Sequence, residues 1–205
     1  MNSALTIITI AGNNSSGKST IAKLVAVRLV RKHESVGDWM KSMASEKGIT
    51  LEQLSLIAES DPSIDKELDE LNKKIGTQHN VVLDSRLGFH FIPESFKVFL
   101  SASPEVAAKR FMKDLETNKI RLNESESTPK SWEEAAELLQ KRYISERKRY
   151  KDQYGIKDHT DPQNFDLIVD TGLPEFNGDF NAIVLFIHDN YDNWLRSKEK
   201  KVLVS

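Results

Sequence analysis

The sequence reads LTIITIA over residues 5–11, GNNSSGKST over residues 12–20 and KSTIAKLVAVRLVR over residues 18–31. The first segment is rich in β-branched residues and apolar on both faces, which is typical of a central strand in a parallel sheet covered by helices. The third segment has apolar residues at helical spacing. The segment between them fits G-x-x-x-x-G-K-[ST], the pattern of a phosphate-binding loop. Because a strand precedes it and a helix follows it, the pattern indicates a nucleotide site, and a Gly/Ser surface turn is the weaker interpretation.

The residue types of this loop suit a polyphosphate. Gly12 and Gly17 permit backbone angles that turn successive N–H groups toward phosphate oxygens, and the following helix adds the positive end of its dipole. Lys18 is predicted to neutralise the β- and γ-phosphates during catalysis, and the Ser19 hydroxyl to bind Mg²⁺. We therefore expect ATP and Mg²⁺ as cofactors, with ATP bound by Gly12, Asn13, Asn14, Ser15, Ser16, Gly17, Lys18, Ser19 and Thr20.

The rest of the chain alternates strands and helices. Apolar segments at 80–84, 96–101 and 166–170 are predicted to be strands, and a short extended segment is expected near 33–36. This order predicts a three-layer α/β/α P-loop NTPase fold around a five-stranded parallel sheet, in a single domain over residues 1–205. Ligands of such sheets bind at the carboxyl ends of the strands.

The composition narrows the function. Lys and Arg total 29 against 31 Asp and Glu, so the net charge is −2. The chain therefore lacks the excess of cationic side chains that is typical of a general nucleic-acid-binding protein. The absence of cysteine excludes thiolate metal sites, iron–sulfur clusters and a cysteine nucleophile. The sequence has no signal-peptide pattern and no apolar run of membrane length. We therefore expect a cytoplasmic protein, a monomer by default, whose partners are small molecules rather than a membrane.

The class of P-loop protein follows from the chain length and from a missing motif. GTPases read guanine with N-K-x-D, but neither of the two Asn-Lys pairs has an Asp two positions after its Lys. ATPases of the AAA and transporter types usually need a longer chain, whereas a small kinase fits 205 residues. The helical stretch at about 37–78 would then be an acceptor-binding insert. Residues 116–153, approximately, would be an arginine-bearing lid with a polar loop at 118–130.

Two charged residues follow the strand predicted at 80–84. Arg86 is expected at the carboxyl edge of the sheet, which predicts a clamp for the acceptor phosphate, and a surface salt bridge is the alternative. Asp84 follows an apolar run and is predicted to hold Mg²⁺. Its alternatives are a helix cap or an ion pair with Lys18 or Arg86.

A set of charges recurs on the long helix predicted after residue 131. Arg142, Glu146 and Arg149 are spaced by four and then three residues, which places them on one helix face. One interpretation is that both arginines reach phosphates when the lid closes, while Glu146 orients them or contacts the base. The other is an ion pair on a solvated helix face.

Four further segments resemble nucleoside monophosphate kinases, most closely the short archaeal-type cytidylate kinases. They are SVGDWMK at 35–41, DPSIDKE at 61–67, NVVLDSRL at 80–87 and the stretch from Arg142 to Thr171. The resemblance implies phosphoryl transfer from ATP to CMP or dCMP, within pyrimidine nucleotide metabolism. It implies that Arg86 holds the acceptor phosphate and that Arg110 faces the donor phosphates. The lid and nucleotide residues that it implies are Arg142, Glu146 and Arg149.

The acceptor segment departs from the family pattern at one position. Lys41 stands where the family usually has arginine, and a lysine keeps the charge but loses the bidentate grip on phosphate. Asp38 and Lys41 are expected to bind the substrate, although capping of its own helix is the stronger local explanation for Asp38. Two other functions stay open: a kinase that uses Asp84 as the base for a hydroxyl acceptor, and a nucleotide-binding module without turnover.

Overall fold

The computed structural model describes residues 7–58, 60–117, 128–176 and 178–202. Within these residues, helices flank a sheet of five parallel strands, which confirms the predicted fold. The strands are β1 (Ile7–Gly12), β2 (Lys32–Ser35), β3 (Val81–Asp84), β4 (Phe96–Ser101) and β5 (Leu167–Asp170). The helices are α1 (Lys18–Arg28), α2 (Val36–Glu46), α3 (Leu51–Ala58), α4 (Pro62–Gly76), α5 (Gly88–Phe91), α6 (Pro104–Thr117), α7 (Trp132–Tyr154) and α8 (Phe180–Val202).

Strand β1 lies at the centre of the sheet, in the order β2-β3-β1-β4-β5. Every residue of β1 is buried, because helices cover both faces of the sheet. Ile8 and Ile10 pack with residues of α1 and α8 on one face, and Ile7 packs with Ile75 of α4 on the other. The apolar run of β1 is therefore the core of a three-layer structure.

The strand register determines which loops meet. Ile10 pairs with Asp84, and Gly12 pairs with Leu100, so β1, β3 and β4 end at the same edge of the sheet. The chain also changes direction across the sheet at β1, because β3 lies on one side of it and β4 on the other. Such a switch point opens a crevice at the carboxyl ends of the strands, where ligands of parallel sheets bind.

Helix α1 ends at Arg28, three residues before the end that the sequence predicts. Val30 has a left-handed φ of 52°. Its amide donates to the Val27 carbonyl at 3.2 Å, and the Arg31 amide donates to the Ala26 carbonyl at 2.8 Å. This pair of bonds closes the helix in the manner of a Schellman motif, which normally places glycine where Val30 lies.

Three helices, α2 to α4, lie between β2 and β3. The Ser35 hydroxyl accepts from the Asp38 amide at 3.2 Å and caps α2. The prediction that Asp38 caps this helix is therefore wrong, because the helix begins before it. Thr50 with Gln53 three residues on predicts a capping box, and the two residues form it with reciprocal bonds of 2.9 and 3.1 Å. Asp61 caps α4 ahead of a proline in its first turn.

The end of the chain departs from the sequence prediction, and part of the predicted lid lies outside the description. The sequence predicts a last helix over 179–195 and a frayed tail over 196–205, whereas helix α8 continues to Val202. Of the polar loop predicted at 118–130, residues 118–127 lie outside the described residues. Among the described helices, none has the length and apolar character that crossing a membrane requires.

Candidate functional site

The loop between β1 and α1 has the shape of a phosphate cradle. A Cβ on Gly12 would lie 2.5 Å from the Leu100 carbonyl oxygen, so the chain can pass there only without a side chain. Gly17 has a φ of 83°, in the left-handed region that favours glycine. The hydroxyls of Ser15 and Ser16 are buried and have no hydrogen-bond partner among the described residues. Together with the N-terminus of α1, these hydroxyls can donate to an anion.

Lys18 and Asp84 form an ion pair beside this loop. Lys18 Nζ donates to Asp84 Oδ1, which is one of the alternatives predicted for Asp84. Burial and the nearby Arg86 guanidinium lower the pKa of Lys18 to about 7, and the Glu146 and Asp38 carboxylates oppose this shift. Asp84 is 1% exposed, and its Oδ2 has no hydrogen-bond partner among the described residues. The carboxylate therefore keeps one buried oxygen for a further cation.

Arg86 connects three parts of the site. Its Nη2 donates to Asn14 Oδ1 at 2.6 Å, and its Nε lies 3.0 Å from Glu146 Oε2. Asn14 belongs to the loop after β1, and Glu146 belongs to α7. Burial lowers the pKa of Arg86, but the Glu146 carboxylate and Tyr150 outweigh this effect and raise it, so the guanidinium stays charged. The Arg86 guanidinium therefore lies where three elements meet, namely the loop after β1, the carboxyl end of β3 and helix α7.

The two arginines that the spacing grouped with Glu146 also contact other elements. Arg142 lies over the ring of Phe111 in α6, 5.5 Å from its centroid. Arg149 is largely buried, and its Nε lies 3.6 Å from Asp65 Oδ2 of α4. The three residues share a helix, but each contacts a different neighbouring element. Glu146 contacts the guanidinium that reaches the loop, and its carboxylate also helps to raise the pKa of Arg149.

A cavity of about 420 Å³ opens between β2 and the helices that follow it. Asp38 and Trp39 line this cavity, and Trp39 is 46% exposed. Lys41 Nζ lies 3.8 Å from Asp38 Oδ1, and Lys23 Nζ lies 4.0 Å from Asp38 Oδ2. Two of the predicted substrate residues, Asp38 and Lys41, therefore lie together in the segment between β2 and β3, beside a cavity with an aromatic wall.

Arg110 contacts the loop through an intermediate residue. Its Nη1 and Nη2 donate to the hydroxyl and the carbonyl of Thr171, each at 2.8 Å. The Thr171 hydroxyl also lies 3.0 Å from the Ser16 carbonyl oxygen. Thr171 is 1% exposed. Arg110 therefore contacts the loop through a buried hydrogen-bonded residue at the end of β5.

Sequence reasoning missed several residues of this site. Asp65 is buried on the face of α4 that also carries Leu68. An acidic residue at a position where the helical period calls for an apolar one was the signal that could have identified it. Thr171 directly follows β5, and the strand-end rule that selected Arg86 could have selected it as well. His159, which lies beside Glu146, had no local signal in the sequence.

The chain is similar to proteins of one enzyme family. A family model described as cytidylate kinase-like matches residues 7–173. A cytidylate kinase of Methanocaldococcus jannaschii is 33% identical over 86% of this chain and 94% of that protein. A cytidylate kinase of Methanopyrus kandleri is 34% identical over 80% of this chain and 84% of that protein.

A longer relative has a different name. A protein of Lacinutrix mariniflava called S-adenosylmethionine-dependent nucleotide dehydratase is 36% identical over 81% of this chain. The match covers 32% of that protein, so this chain spans about a third of its length.

Solved structures support the same fold. Shikimate kinase of Bacteroides thetaiotaomicron superposes with a TM-score of 0.58 at 13% identity, over 90% of this chain and 97% of that one. A gluconokinase of Sinorhizobium meliloti superposes with a TM-score of 0.58 at 15% identity, over 98% and 99% of the two chains. Because the family model spans most of the described residues and several relatives exceed 30% identity, the chain is a P-loop nucleoside monophosphate kinase that belongs to the cytidylate kinase-like family.

Proposed function

We propose that this enzyme transfers the γ-phosphoryl group of ATP to CMP or dCMP and releases ADP and the nucleoside diphosphate. The observation that carries the proposal is the position of Arg86, which contacts both the phosphate loop and α7. A cation held there can bind a second phosphate next to the donor. The names of the archaeal relatives support a cytidine nucleotide as the acceptor.

In the proposed reaction, an oxygen of the acceptor phosphate attacks the γ-phosphorus of ATP. The bond between that phosphorus and the bridging oxygen of the β-phosphate breaks, and ADP leaves with the electron pair. The acceptor phosphate is already ionised at neutral pH, so no general base is required. Catalysis then depends on positioning and on the neutralisation of charge.

Several cations must surround two phosphate groups that approach each other. Lys18 and Arg86 flank the loop in the described arrangement. We assign Arg142 and Arg149 to the lid, where each has to exchange its present contact for a phosphate during the reaction. For Arg149 that contact is the Asp65 carboxylate, which competes with phosphate for the same guanidinium. Arg110 acts through Thr171 on the donor side of the loop.

The residues present fit Mg²⁺ as a cofactor. Asp84 has a buried carboxylate oxygen without a hydrogen-bond partner among the described residues, and oxygen is the ligand that Mg²⁺ prefers. Ser19 follows the lysine that contacts this carboxylate and lies in the first turn of α1. We propose that Asp84, directly or through water, and Ser19 hold Mg²⁺. The ion would neutralise charge on the β- and γ-phosphates.

The segment at about 37–78 is the proposed acceptor insert, and residues 116–153, approximately, are the proposed lid, in one kinase domain. Asp38 and Lys41 lie beside the cavity between β2 and α2, where the acceptor base or ribose would bind. A cytoplasmic location and a monomeric state stay predictions.

The name of the Lacinutrix relative suggests a second reaction, dehydration of a nucleotide. The chain matches only 32% of that protein, and the matched part is the part that carries a phosphate-binding loop here. The kinase reaction is therefore the function that this chain's own residues support.

The test is an ADP-release assay with ATP, Mg²⁺ and each of CMP, dCMP, UMP, AMP and GMP, with product identity checked by chromatography. We expect turnover with CMP or dCMP to exceed turnover with the purine nucleotides. Absence of turnover with every monophosphate, together with calorimetric binding of ATP, would support a binding module instead. An Asp84→Asn variant separates a hydroxyl kinase from a monophosphate kinase, because added Mg²⁺ should partly rescue only the latter.

A further inference from the structure

His159 lies between α7 and β5, on the wall of a cavity of about 300 Å³. Asn14, Arg86 and Glu146 line the same cavity. The histidine is 5% exposed, and its Nδ1 has no hydrogen-bond partner among the described residues. A buried imidazole with an unpartnered nitrogen costs stability, so its position beside the site calls for an explanation.

The other ring nitrogen of His159 faces the carboxylate that holds Arg86. His159 Nε2 lies 3.8 Å from Glu146 Oε2, the same oxygen that lies 3.0 Å from Arg86 Nε. The ring also packs edge-on against Tyr150, at 5.1 Å between centroids, and tilted by 39° against Tyr143, at 5.6 Å. One oxygen of Glu146 therefore lies close both to a guanidinium and to an imidazole that has two aromatic neighbours.

We propose that His159 is a positioning residue for phosphoryl transfer, which limits the movement of the Glu146 carboxylate and thereby keeps Arg86 aimed at the acceptor phosphate. The inference rests on the proposed function, because the phosphate clamp is its target. It extends that function to a residue that acts through Glu146.

The charge state of His159 matters to this role. Glu146 and Arg147 face it from α7, Arg86 faces it from the segment after β3, and Asp158 precedes it in the chain. Burial lowers its pKa, with Glu146 opposing the shift, so the ring is neutral at physiological pH. The 3.8 Å between Nε2 and Oε2 is longer than a hydrogen bond, so the carboxylate has to approach slightly before a neutral ring with its proton on Nε2 can donate to it. A neutral ring does so without the full charge that would compete with Arg86 for the carboxylate.

Steady-state kinetics with CMP and ATP test the role. A His159→Phe variant keeps an aromatic ring on the cavity wall but removes the Nε2–H group. A His159→Gln variant instead places an amide N–H near the position of Nε2. We expect His159→Phe to raise the KM for CMP about tenfold while the KM for ATP stays within about twofold, and His159→Gln to restore most of the loss. His79→Gln is the control, because His79 is exposed and precedes β3 at the opposite edge of the sheet.

A double variant separates this role from a general loss of structure. If His159 acts through Glu146, then adding His159→Phe to Glu146→Gln should change the KM for CMP by less than about twofold further. Independent, multiplying effects would overturn the proposal. Equal increases in the KM values for CMP and ATP would also overturn it, because they would indicate a damaged fold rather than a misplaced clamp.

A measurement without turnover keeps the inference separate from the proposed function. The pKa of His159 can be followed by NMR, with its imidazole signal assigned as the one missing in His159→Phe. Glu146→Gln removes the carboxylate that favours the imidazolium, so the pKa of His159 should fall further. An unchanged pKa would refute the coupling even if CMP is phosphorylated. A lowered pKa in an enzyme that does not phosphorylate CMP would refute the proposed function and leave the coupling intact.

Discussion

Replacement of Arg86 by lysine tests the central contact of the site. Arg86 makes two charge-assisted contacts, one to Asn14 at 2.6 Å and one to Glu146 at 3.0 Å. A lysine keeps the charge but cannot reach both partners and a phosphate at once, because it lacks the planar fork of the guanidinium. Hydrogen bonds to charged groups contribute about 1.5–3 kcal/mol each. We take about 3 kcal/mol as the expected loss in transition-state stabilisation, which corresponds to about 150-fold in kcat/KM.

The assay is kcat/KM for CMP at saturating ATP, with the melting temperature measured in parallel. Arg31→Lys is the matched control, since Arg31 makes a comparable contact of 2.6 Å to the Tyr191 hydroxyl and precedes β2, at the opposite edge of the sheet from the loop. The control should leave kcat/KM within about twofold, as a surface change away from the site does. If Arg86→Lys retains more than about a third of kcat/KM, Arg86 does not clamp the acceptor phosphate, and the site assignment fails.

Three further changes have defined outcomes. Gly12→Ala should weaken ATP binding by calorimetry at least about tenfold, because its Cβ would lie 2.5 Å from the Leu100 carbonyl oxygen and push the loop out of shape; normal affinity would contradict the close approach. Val30→Gly should raise the free energy of unfolding by about 1 kcal/mol in urea titration, since glycine accepts the φ of 52° without strain and Val30 is 91% exposed; a loss of stability would contradict this account of the helix end. Burial lowers the pKa of His159 below its ordinary value of 6.5. As the pH is lowered past 6.5, the unfolded chain therefore takes up a proton before the folded chain does, and the free energy of unfolding should decrease. In His159→Phe this decrease in the free energy of unfolding should be smaller. The contribution of His33, whose pKa burial also lowers, should remain.

The phosphate loop could be predicted because its information is local. Gly12, Gly17 and Lys18 lie within seven consecutive residues, and the strand and helix that flank them have clear apolar periodicity. The same local logic placed Asp84 and Arg86 at the carboxyl edge of the sheet. It also identified the capping box before α3, which the structure reproduces.

The contacts of α7 could not be predicted in the same way. Helical spacing showed that Arg142, Glu146 and Arg149 share a face, but a face of a 23-residue helix extends past several neighbours. Asp65 comes from α4, which reaches α7 only through the packing of the folded chain. The helix period says which side chains are aligned, and the packing of other elements determines what each one meets.

The fold class and the position of the phosphate cradle are properties of this chain's primary structure, since β-branched runs, glycines and a lysine act on their immediate neighbours. The partner of each buried charge is a property of the folded chain. Lys18 meets Asp84, Arg86 meets Glu146, and Glu146 meets His159, through contacts between residues distant in the chain. Strand order and helix packing bring these groups together, and the energy of a buried charge then depends on the neighbour that it meets there.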